Sequence, residues 1–115
     1  MFTHGIQKLG ESMIFETLWE SSKKGELILI DGGMCHYHLR KDKQLTIREI
    51  ISQSPGRGVI MLEMLKEVVG AERIFAKCPS DLESNGWYRH VGFNLIGKEF
   101  SKTGREINHW EMVIK

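Results

Sequence analysis

The segment Gln53-Ser54-Pro55-Gly56-Arg57-Gly58 decides how the rest of the chain is interpreted. It stands between a β-rich run, Leu45–Ser52, and an apolar helical run, Val59–Val69, which ends at Gly70. A strand, a glycine turn and a helix N-terminus form an anion site, because the first-turn amides lack intrahelical partners and the helix dipole favours negative charge there. Glycine also lets the backbone approach a phosphate without interference from a Cβ atom. The segment therefore predicts a phosphate-binding loop.

Two well-known phosphate-binding loops do not fit this segment. A Walker loop ends in Gly-Lys-Ser/Thr, whereas Gly58 is followed by Val59 and Ile60, so the lysine and the magnesium-binding hydroxyl are missing. A dinucleotide-binding loop has a third glycine three residues after the second, and that position is Met61. The pattern that remains, Gln53-x-x-Gly56-x-Gly58, is short, and an ordinary glycine turn before a core helix would also produce it. Its interpretation therefore depends on the remainder of the chain.

The composition is that of one globular domain spanning residues 1–115. Sixteen Lys and Arg residues against fifteen Asp and Glu residues give a formal net charge of +1, so the overall charge does not favour nucleic acid or an anionic membrane as a partner. No apolar run approaches the roughly 20 residues of a membrane-spanning helix, and the N-terminus lacks the features of a signal peptide. Two cysteines, Cys35 and Cys78, form no disulfide framework. These features predict a cytoplasmic protein with free thiols.

Hydrophobic periodicity and turn residues predict an α/β (α+β) fold. Three strands form an antiparallel meander that leads into the loop, and the helix after the loop has a wide apolar face that should pack on a sheet. That face comprises Met61, Leu62, Met64, Leu65, Val68 and Val69. The predicted elements are an amphipathic helix over residues 5–22, strands Leu27–Ile30, Met34–Arg40 and Leu45–Ser52, the helix Val59–Val69, a strand Arg73–Cys78, a helix from a capping box at Ser80–Glu83 to about Val91, and a hairpin of Phe93–Phe100 with Ile107–Ile114.

A second motif stands in the last third of the chain, Trp87-Tyr88-Arg89-His90-Val91-Gly92-Phe93. An aromatic residue, tyrosine, three residues and Gly-Phe at the end of a helix resemble a signature of the GNAT superfamily of N-acetyltransferases. The glycine loop resembles the other signature of that family, Gln/Arg-x-x-Gly-x-Gly/Ala, and the two occur in the family's order and spacing. The resemblance covers roughly residues 26–115. It implies a mixed, mostly antiparallel central sheet flanked by helices.

The chain departs from the family pattern at two places. Family members usually carry an extra strand and two helices before this point, where this chain has room for one predicted helix. Those elements often shape the acceptor pocket, so the resemblance does not identify the acceptor. Asp81 and Ser84 stand where Asn and Ala are common in the family, which puts a coenzyme contact there in doubt.

The resemblance implies an acetyltransferase that moves an acetyl group from acetyl-CoA, its co-substrate, to an amine by direct transfer in a ternary complex, without a metal. In this family the loop amides, here residues 54–59, bind the pyrophosphate, and the pantetheine arm lies beside the strand end, here Glu49–Ile51. The implied cofactor-binding residues are Ile50, Ile51, Gln53, Ser54, Gly56, Arg57, Gly58 and Val59.

Two residues are candidates for the proton transfers. Tyr88 matches the tyrosine that commonly protonates the departing thiolate in the family, although it could instead be a packed aromatic residue beside Trp87. Glu49 is the candidate base, because on a strand it shares a face with Ile47 and Ile51, and apolar neighbours would raise its pKa toward neutrality. It could also be a charge at a sheet edge.

His36 and His38 are alternative bases on the preceding strand. Together with Cys35 they lie too close along one strand to indicate a zinc site.

Two other functions stay open at this point. One is a non-catalytic CoA-binding or protein-interaction module with a degenerate acceptor site. The other is a nucleic-acid or protein-binding domain that uses the basic run His36–Lys43. The sequence leaves open whether the acceptor is a small molecule or a protein, and whether the chain is a monomer or a homodimer.

Overall fold

The computed structural model describes residues 26–115. The helix predicted over residues 5–22 lies outside the described residues. Within the described range there are six strands and two helices. The strands are β1 Leu27–Ile30, β2 Gly33–Leu39, β3 Gln44–Ser52, β4 Arg73–Pro79, β5 Asn94–Phe100 and β6 Glu106–Val113, and the helices are α1 Arg57–Lys66 and α2 Ser84–Val91.

The six strands form one mixed sheet in the order β1-β2-β3-β4-β6-β5. In the described sheet every neighbouring pair is antiparallel except β3 and β4, which run parallel with α1 as the crossover between them. A parallel pair needs such a crossover, whereas the antiparallel pairs can be joined by short turns. This arrangement confirms the expected α/β (α+β) fold with a mixed, mostly antiparallel sheet.

The meander β1-β2-β3 is present as predicted, with strand ends that differ by one residue. Gly32, in the turn between β1 and β2, has a φ of 78°, a conformation that glycine adopts without steric cost. The predicted hairpin at the C-terminus is present as well, and β6 lies between β4 and β5.

Helix α1 is shorter than the predicted one. Met61, Leu62 and Leu65 are buried, as expected. Because the helix ends at Lys66, Val69 lies in the following turn and is 90% exposed, and Met64 is also largely exposed. The expected burial of these two side chains is wrong.

The predicted capping box at Ser80–Glu83 is also wrong. Helix α2 begins at Ser84, and Glu83 precedes it without a side-chain capping bond. Ser80 instead donates from its backbone N–H to the Glu106 carbonyl at 3.0 Å. A long-range contact with β6 therefore replaces the local one, and the helix starts one turn later than predicted. Its end at Gly92, which has a φ of 109°, is confirmed.

Both helices pack on the same face of the sheet. The hydrophobic core joins residues of α1, such as Met61, to residues of β2, β4 and β6, such as Cys35, Ile74 and Trp110. Tyr88 of α2 belongs to the same core and stacks on Trp110 with ring centroids 6.2 Å apart. The two helices also approach each other beside β3, where the candidate site lies.

Candidate functional site

The parallel strands β3 and β4 separate halfway along their length. Their pairing runs from Gln44 opposite Arg73 to Ile47 opposite Ala76 and then stops. Beyond that point, residues 49–52 pair with β2 on one side, and residues 77–79 of β4 pair with β6. The segment 48–52 therefore leaves one backbone edge without a strand partner within the described sheet, and we call the opening beside it the β3/β4 gap. Unpaired N–H and C=O groups at such an edge can pair with an added extended chain.

A β-bulge at the start of this gap decides which side chains point to which face. His36 lies opposite Glu49 and Tyr37 lies opposite Ile47, so Arg48 is an extra residue in β3. A bulge of this kind shifts the alternation of side chains by one position. As a result Glu49 lies on the face of His36, away from the helices, whereas Ile47 points into the core with Tyr37.

This bulge overturns one expectation from the sequence. Glu49 does not share a face with Ile47, and its side chain is exposed. The apolar surroundings that were expected around its carboxylate are therefore missing. Ile51, two residues further along β3, lies on the same face as Glu49 and is 45% exposed.

On the helix side of the gap lies a cavity of about 300 Å³. It is bordered by the end of β3, the glycine loop, the first turn of α1 and one face of α2. The lining residues are Ile50, Ser52, Pro55, Gly56, Gly58, Val59, Ser84, Trp87 and Tyr88. The two motifs identified in the sequence thus meet at one cavity, although more than 25 residues separate them along the chain.

The glycine loop provides an N-terminal helix end at this cavity. Gly56 precedes α1 with a φ of 83°, and its carbonyl accepts the backbone N–H of Ile60 at 3.2 Å. The first-turn amides before Ile60 have no intrahelical acceptor. No acidic residue stands in this first turn, so none of its side chains opposes a bound anion. The arrangement suits a phosphate group.

Gly58 is required by close packing between the two helices. A Cβ atom placed there would lie 3.0 Å from Cζ2 of Trp87, closer than such contacts normally occur. The glycine therefore allows the N-terminus of α1 to rest on the indole ring and forms one wall of the cavity.

Tyr88 is held in the cavity wall by three aromatic rings. Trp87 and Phe93 meet its ring edge to face at 5.2 and 5.1 Å, and Trp110 stacks on it. Burial raises the pKa of the Tyr88 phenol above its usual value, and the neighbouring thiols of Cys78 and Cys35 raise it further. The phenol is therefore protonated at neutral pH and can donate a hydrogen bond.

A partly buried amide holds α2 against the sheet. Asn85 Oδ1 accepts hydrogen bonds from Trp110 Nε1 and Asn108 Nδ2, both at 2.9 Å. Its Nδ2 donates to the carbonyls of Pro79 and Leu82. This network fixes the orientation of the helix that carries Trp87 and Tyr88.

The structure brings together some of the site residues expected from the sequence and not others. Ile50, Gly56, Gly58, Val59 and Tyr88 line the cavity. The remaining expected residues, which are Glu49, Ile51, Gln53, Ser54 and Arg57, are not among the lining residues.

Arg57 lies against the turn between β1 and β2. A Cβ atom added to Gly32 would lie 3.3 Å from Nε of Arg57 and 3.3 Å from Oγ of Ser54. The Arg57 Nε is buried and has no hydrogen-bond partner among the residues the structure describes.

Four lining residues were missed by the sequence analysis as site residues: Ser52, Pro55, Ser84 and Trp87. Ser52 directly precedes the loop and Pro55 lies inside it, so both could have been identified from the motif spacing. Ser84 approaches Cys78, with Oγ 3.1 Å from Sγ, a contact that depends on how α2 crosses β4.

The two histidines of β2 lie on the sheet face that is opposite the helices. His36 faces Glu49 across the strands, and His38 Nδ1 lies 2.6 Å from Glu26 Oε2. Burial lowers the pKa of His36, Arg48 and His38 lower it as well, and Glu49 and Glu26 raise it. Cys35 points to the other face, into the core. Among the residues described there is no group of three metal-binding side chains.

No protein-family model matches the sequence, and no curated protein matches it either. The structure, in contrast, resembles solved acetyltransferases. An acetyltransferase of the GNAT family from Bacillus cereus superposes with a TM-score of 0.73 at 17% identity, covering 94% of this chain and 84% of that one.

Two enzymes solved with coenzyme A are similar to it as well. An aminoglycoside 6′-N-acetyltransferase gives a TM-score of 0.70 at 11% identity, covering 94% of this chain and 82% of its own. A ribosomal-protein α-N-acetyltransferase gives 0.67 at 16% identity, covering 91% and 72%. The protein therefore has the fold of the GNAT superfamily of N-acetyltransferases.

Proposed function

We propose that residues 1–115 form one acyl-CoA-binding domain that transfers an acetyl group from acetyl-CoA to an amine. The observation that carries this proposal is the β3/β4 gap, which opens beside a cavity walled by a helix N-terminus and by Tyr88. Similar structures solved with coenzyme A support the same ligand. The acceptors in the names of those two enzymes are an aminoglycoside and a ribosomal protein, so they do not agree on one acceptor class.

The residues present fit the two chemical parts of acetyl-CoA. The first-turn amides of α1 suit the pyrophosphate, because Gly56 and Gly58 line the cavity there and no acidic residue stands in the first turn. The free edge of β3 suits the pantetheine amides, which can pair with a strand edge as an added strand would. Ile50 and Val59 supply apolar wall beside that edge.

Acetyl transfer forms a C–N bond and breaks the C–S bond of the thioester, releasing coenzyme A as a thiol. The chain has to accept one proton from the amine and supply one to the sulfur. Tyr88, protonated and placed in the cavity wall, is the proposed donor. Glu49, on the far side of the gap, is the proposed acceptor, and His36 beside it is the alternative.

The proposal is tested first by binding. Isothermal titration calorimetry with acetyl-CoA should give saturable binding to the wild type and none to Gly58→Glu, because the new side chain fills the cavity beside Trp87 and repels phosphate. Gly86→Glu is the matched control. It adds the same charge to α2 at a position where an added Cβ meets no atom within 4 Å, and it should bind normally.

Turnover is tested next, by measuring thiol release with panels of small amines, peptides and proteins. Absence of acetyl-CoA binding to the wild type would contradict the whole proposal. Binding without turnover on any panel would instead favour a non-catalytic CoA-binding module, for which the exposed position of Glu49 is the relevant observation.

A further inference from the structure

The indole ring of Trp87 lies against the first turn of α1. Trp87 lines the cavity and is partly buried. A Cβ atom added to Gly58 would lie 3.0, 3.3 and 3.4 Å from the consecutive ring atoms Cζ2, Cε2 and Nε1. These three atoms form the edge of the indole that carries its N–H group. The one hydrogen-bond donor of the side chain therefore lies at a helix end that has no side-chain cap.

This donor has no acceptor in the part of the chain that the structure describes. Trp110 donates from Nε1 to Asn85 Oδ1 at 2.9 Å. No residue in the range 26–115 accepts a hydrogen bond from Trp87 Nε1, whose ring instead meets the Tyr88 ring edge to face. A tryptophan N–H that is withdrawn from bulk water normally has a polar partner. The cavity beside Trp87 leaves room for a ligand to supply one.

The Trp87 donor and the first amides of α1 are close enough to bind one phosphate group. The amide nitrogen and the Cβ position of a residue are about 2.5 Å apart, so Trp87 Nε1 lies within about 6 Å of the Gly58 nitrogen. Two donors at this separation, each forming a hydrogen bond of about 2.9 Å, reach the same oxygen or neighbouring oxygens of a phosphate. Neither Gly58 nor Val59 has a backbone acceptor for its N–H group in the described range.

We propose that the indole N–H of Trp87 binds the pyrophosphate of acetyl-CoA together with the first-turn amides of α1. This inference rests on the proposed acetyl transfer and assigns Trp87 as a residue that selects acyl donors by their pyrophosphate group. A hydrogen bond to a charged oxygen is stronger than one between neutral groups. Loss of the N–H should therefore weaken ligands that carry a pyrophosphate and spare an acyl donor that lacks it.

Titration calorimetry with three acyl donors tests this selection. Trp87→Phe keeps an aromatic ring beside Tyr88 and removes the donor. It should weaken acetyl-CoA and its 3′-dephospho form, which both carry the pyrophosphate, about ten- to a hundredfold. Binding of S-acetylpantetheine, which carries no phosphate, should be unchanged. Gly86→Ala is the matched control on the same helix, because an added Cβ there meets no atom within 4 Å, and it should bind all three donors as the wild type does.

Nuclear magnetic resonance of the wild type tests the contact without a change in the site. The chain contains three tryptophans, so a nitrogen–proton correlation spectrum holds three indole N–H signals. Inorganic pyrophosphate should move the Trp87 indole proton downfield, because the proton then lies in a hydrogen bond to an anion. The Trp110 indole proton, already bonded to Asn85, should stay in place. This measurement carries the test if Trp87→Phe fails to fold.

The outcomes separate the role of Trp87 from the reaction. Equal losses of affinity for acetyl-CoA and S-acetylpantetheine in Trp87→Phe would mean that the indole contributes packing alone, and this overturns the inference. An unmoved Trp87 signal in the presence of pyrophosphate overturns it as well, even where acetyl-CoA binds and is turned over. A downfield shift with pyrophosphate in a protein that binds no acetyl-CoA supports Trp87 as an anion ligand and overturns the proposed acetyl transfer.

Discussion

The Tyr88 side chain packs against three aromatic rings. Its ring is enclosed by Trp87, Phe93 and Trp110, and its burial raises the phenol pKa. A phenol with a raised pKa is a weaker acid than free tyrosine, but it stays protonated over the whole neutral range. It can therefore stabilise a developing thiolate as a hydrogen-bond donor without an ionisable partner of its own.

Replacing this hydroxyl tests the donor role. Tyr88→Phe keeps the ring and its three aromatic contacts, so acetyl-CoA affinity and the melting temperature should change little. General acid catalysis contributes about 10²- to 10⁴-fold, and kcat should fall by that order. Thiol release at saturating acetyl-CoA is the measurement. Unchanged kcat would mean that the thiolate leaves without help from Tyr88.

Glu49 is exposed in the absence of an acceptor, so its role as a base depends on the amine that covers it. Glu49→Gln should lower kcat at neutral pH with acetyl-CoA affinity unchanged, because Glu49 lies outside the cavity lining. Activity should recover as the pH rises, since the amine then loses its proton unaided. The check is a kcat profile from pH 6 to 9.

His36→Gln is the companion variant for this profile. Its side chain lies opposite Glu49, so it would serve as the acceptor if Glu49 does not. If the kcat profiles of Glu49→Gln and the wild type coincide from pH 6 to 9, the proton acceptor is His36 or solvent.

At the scale of elements, each helix contains a glycine, and only one of the two is required by close packing. Gly58 leaves room for Trp87, whereas a Cβ atom at Gly86 meets nothing within 4 Å. Glycine inside a helix costs about 1 kcal/mol relative to alanine. Gly86→Ala should therefore raise the unfolding free energy by up to about 1 kcal/mol and leave acetyl-CoA binding unchanged.

Gly58→Ala should separate stability from binding. The alanine gains helix propensity, but its Cβ pushes the Trp87 ring by a few tenths of an ångström into the cavity wall. We expect acetyl-CoA affinity to fall several-fold with little loss of stability. Urea unfolding and calorimetry on both alanine variants measure the two quantities. Equal acetyl-CoA affinities of Gly58→Ala and the wild type would show that the contact between Gly58 and Trp87 does not shape the cavity.

The elements also show how far the sequence could predict this fold. Strands β1 to β6 and both helices are predictable from local periodicity and turn residues. The two short motifs predicted that the loop and Tyr88 belong to one site. The bulge at Arg48 could not be predicted, because it depends on how β3 aligns with β2. The face assigned to Glu49 was wrong for that reason.

The start of α2 was mispredicted for a related reason. Ser80 and Glu83 match the local pattern of a capping box, but the Ser80 N–H finds its acceptor on β6, a partner distant along the chain. Local rules predicted the elements correctly, and failed where one strand or helix end is determined by another element.

At the scale of the whole molecule, buried thiol and phenol groups make the unfolding free energy depend on pH. Cys35 is fully buried, and burial raises its pKa from 9.0 to about 12. Burial raises the pKa of Tyr88 and Tyr37 as well, and Glu26 adds to the shift of Tyr37. In the unfolded chain the thiol and phenols ionise near their usual values, so above about pH 9 the unfolded state holds fewer protons than the folded state.

The unfolding free energy should therefore be independent of these groups below pH 9 and should fall as the pH rises from 9 toward 12. One group with a raised pKa contributes a slope of up to about 1.4 kcal/mol per pH unit within its window.

Cys35→Ala removes the thiol, so its curve should start lower at neutral pH because of the cavity left behind, and should then decline less steeply. Ile47→Val, a buried substitution without a titrating group, should shift the curve down by about 1 kcal/mol and keep the wild-type slope. Urea unfolding at pH 7, 9, 10 and 11 measures all three proteins. A Cys35→Ala curve parallel to the wild type would show that the Cys35 thiol does not contribute to alkaline unfolding.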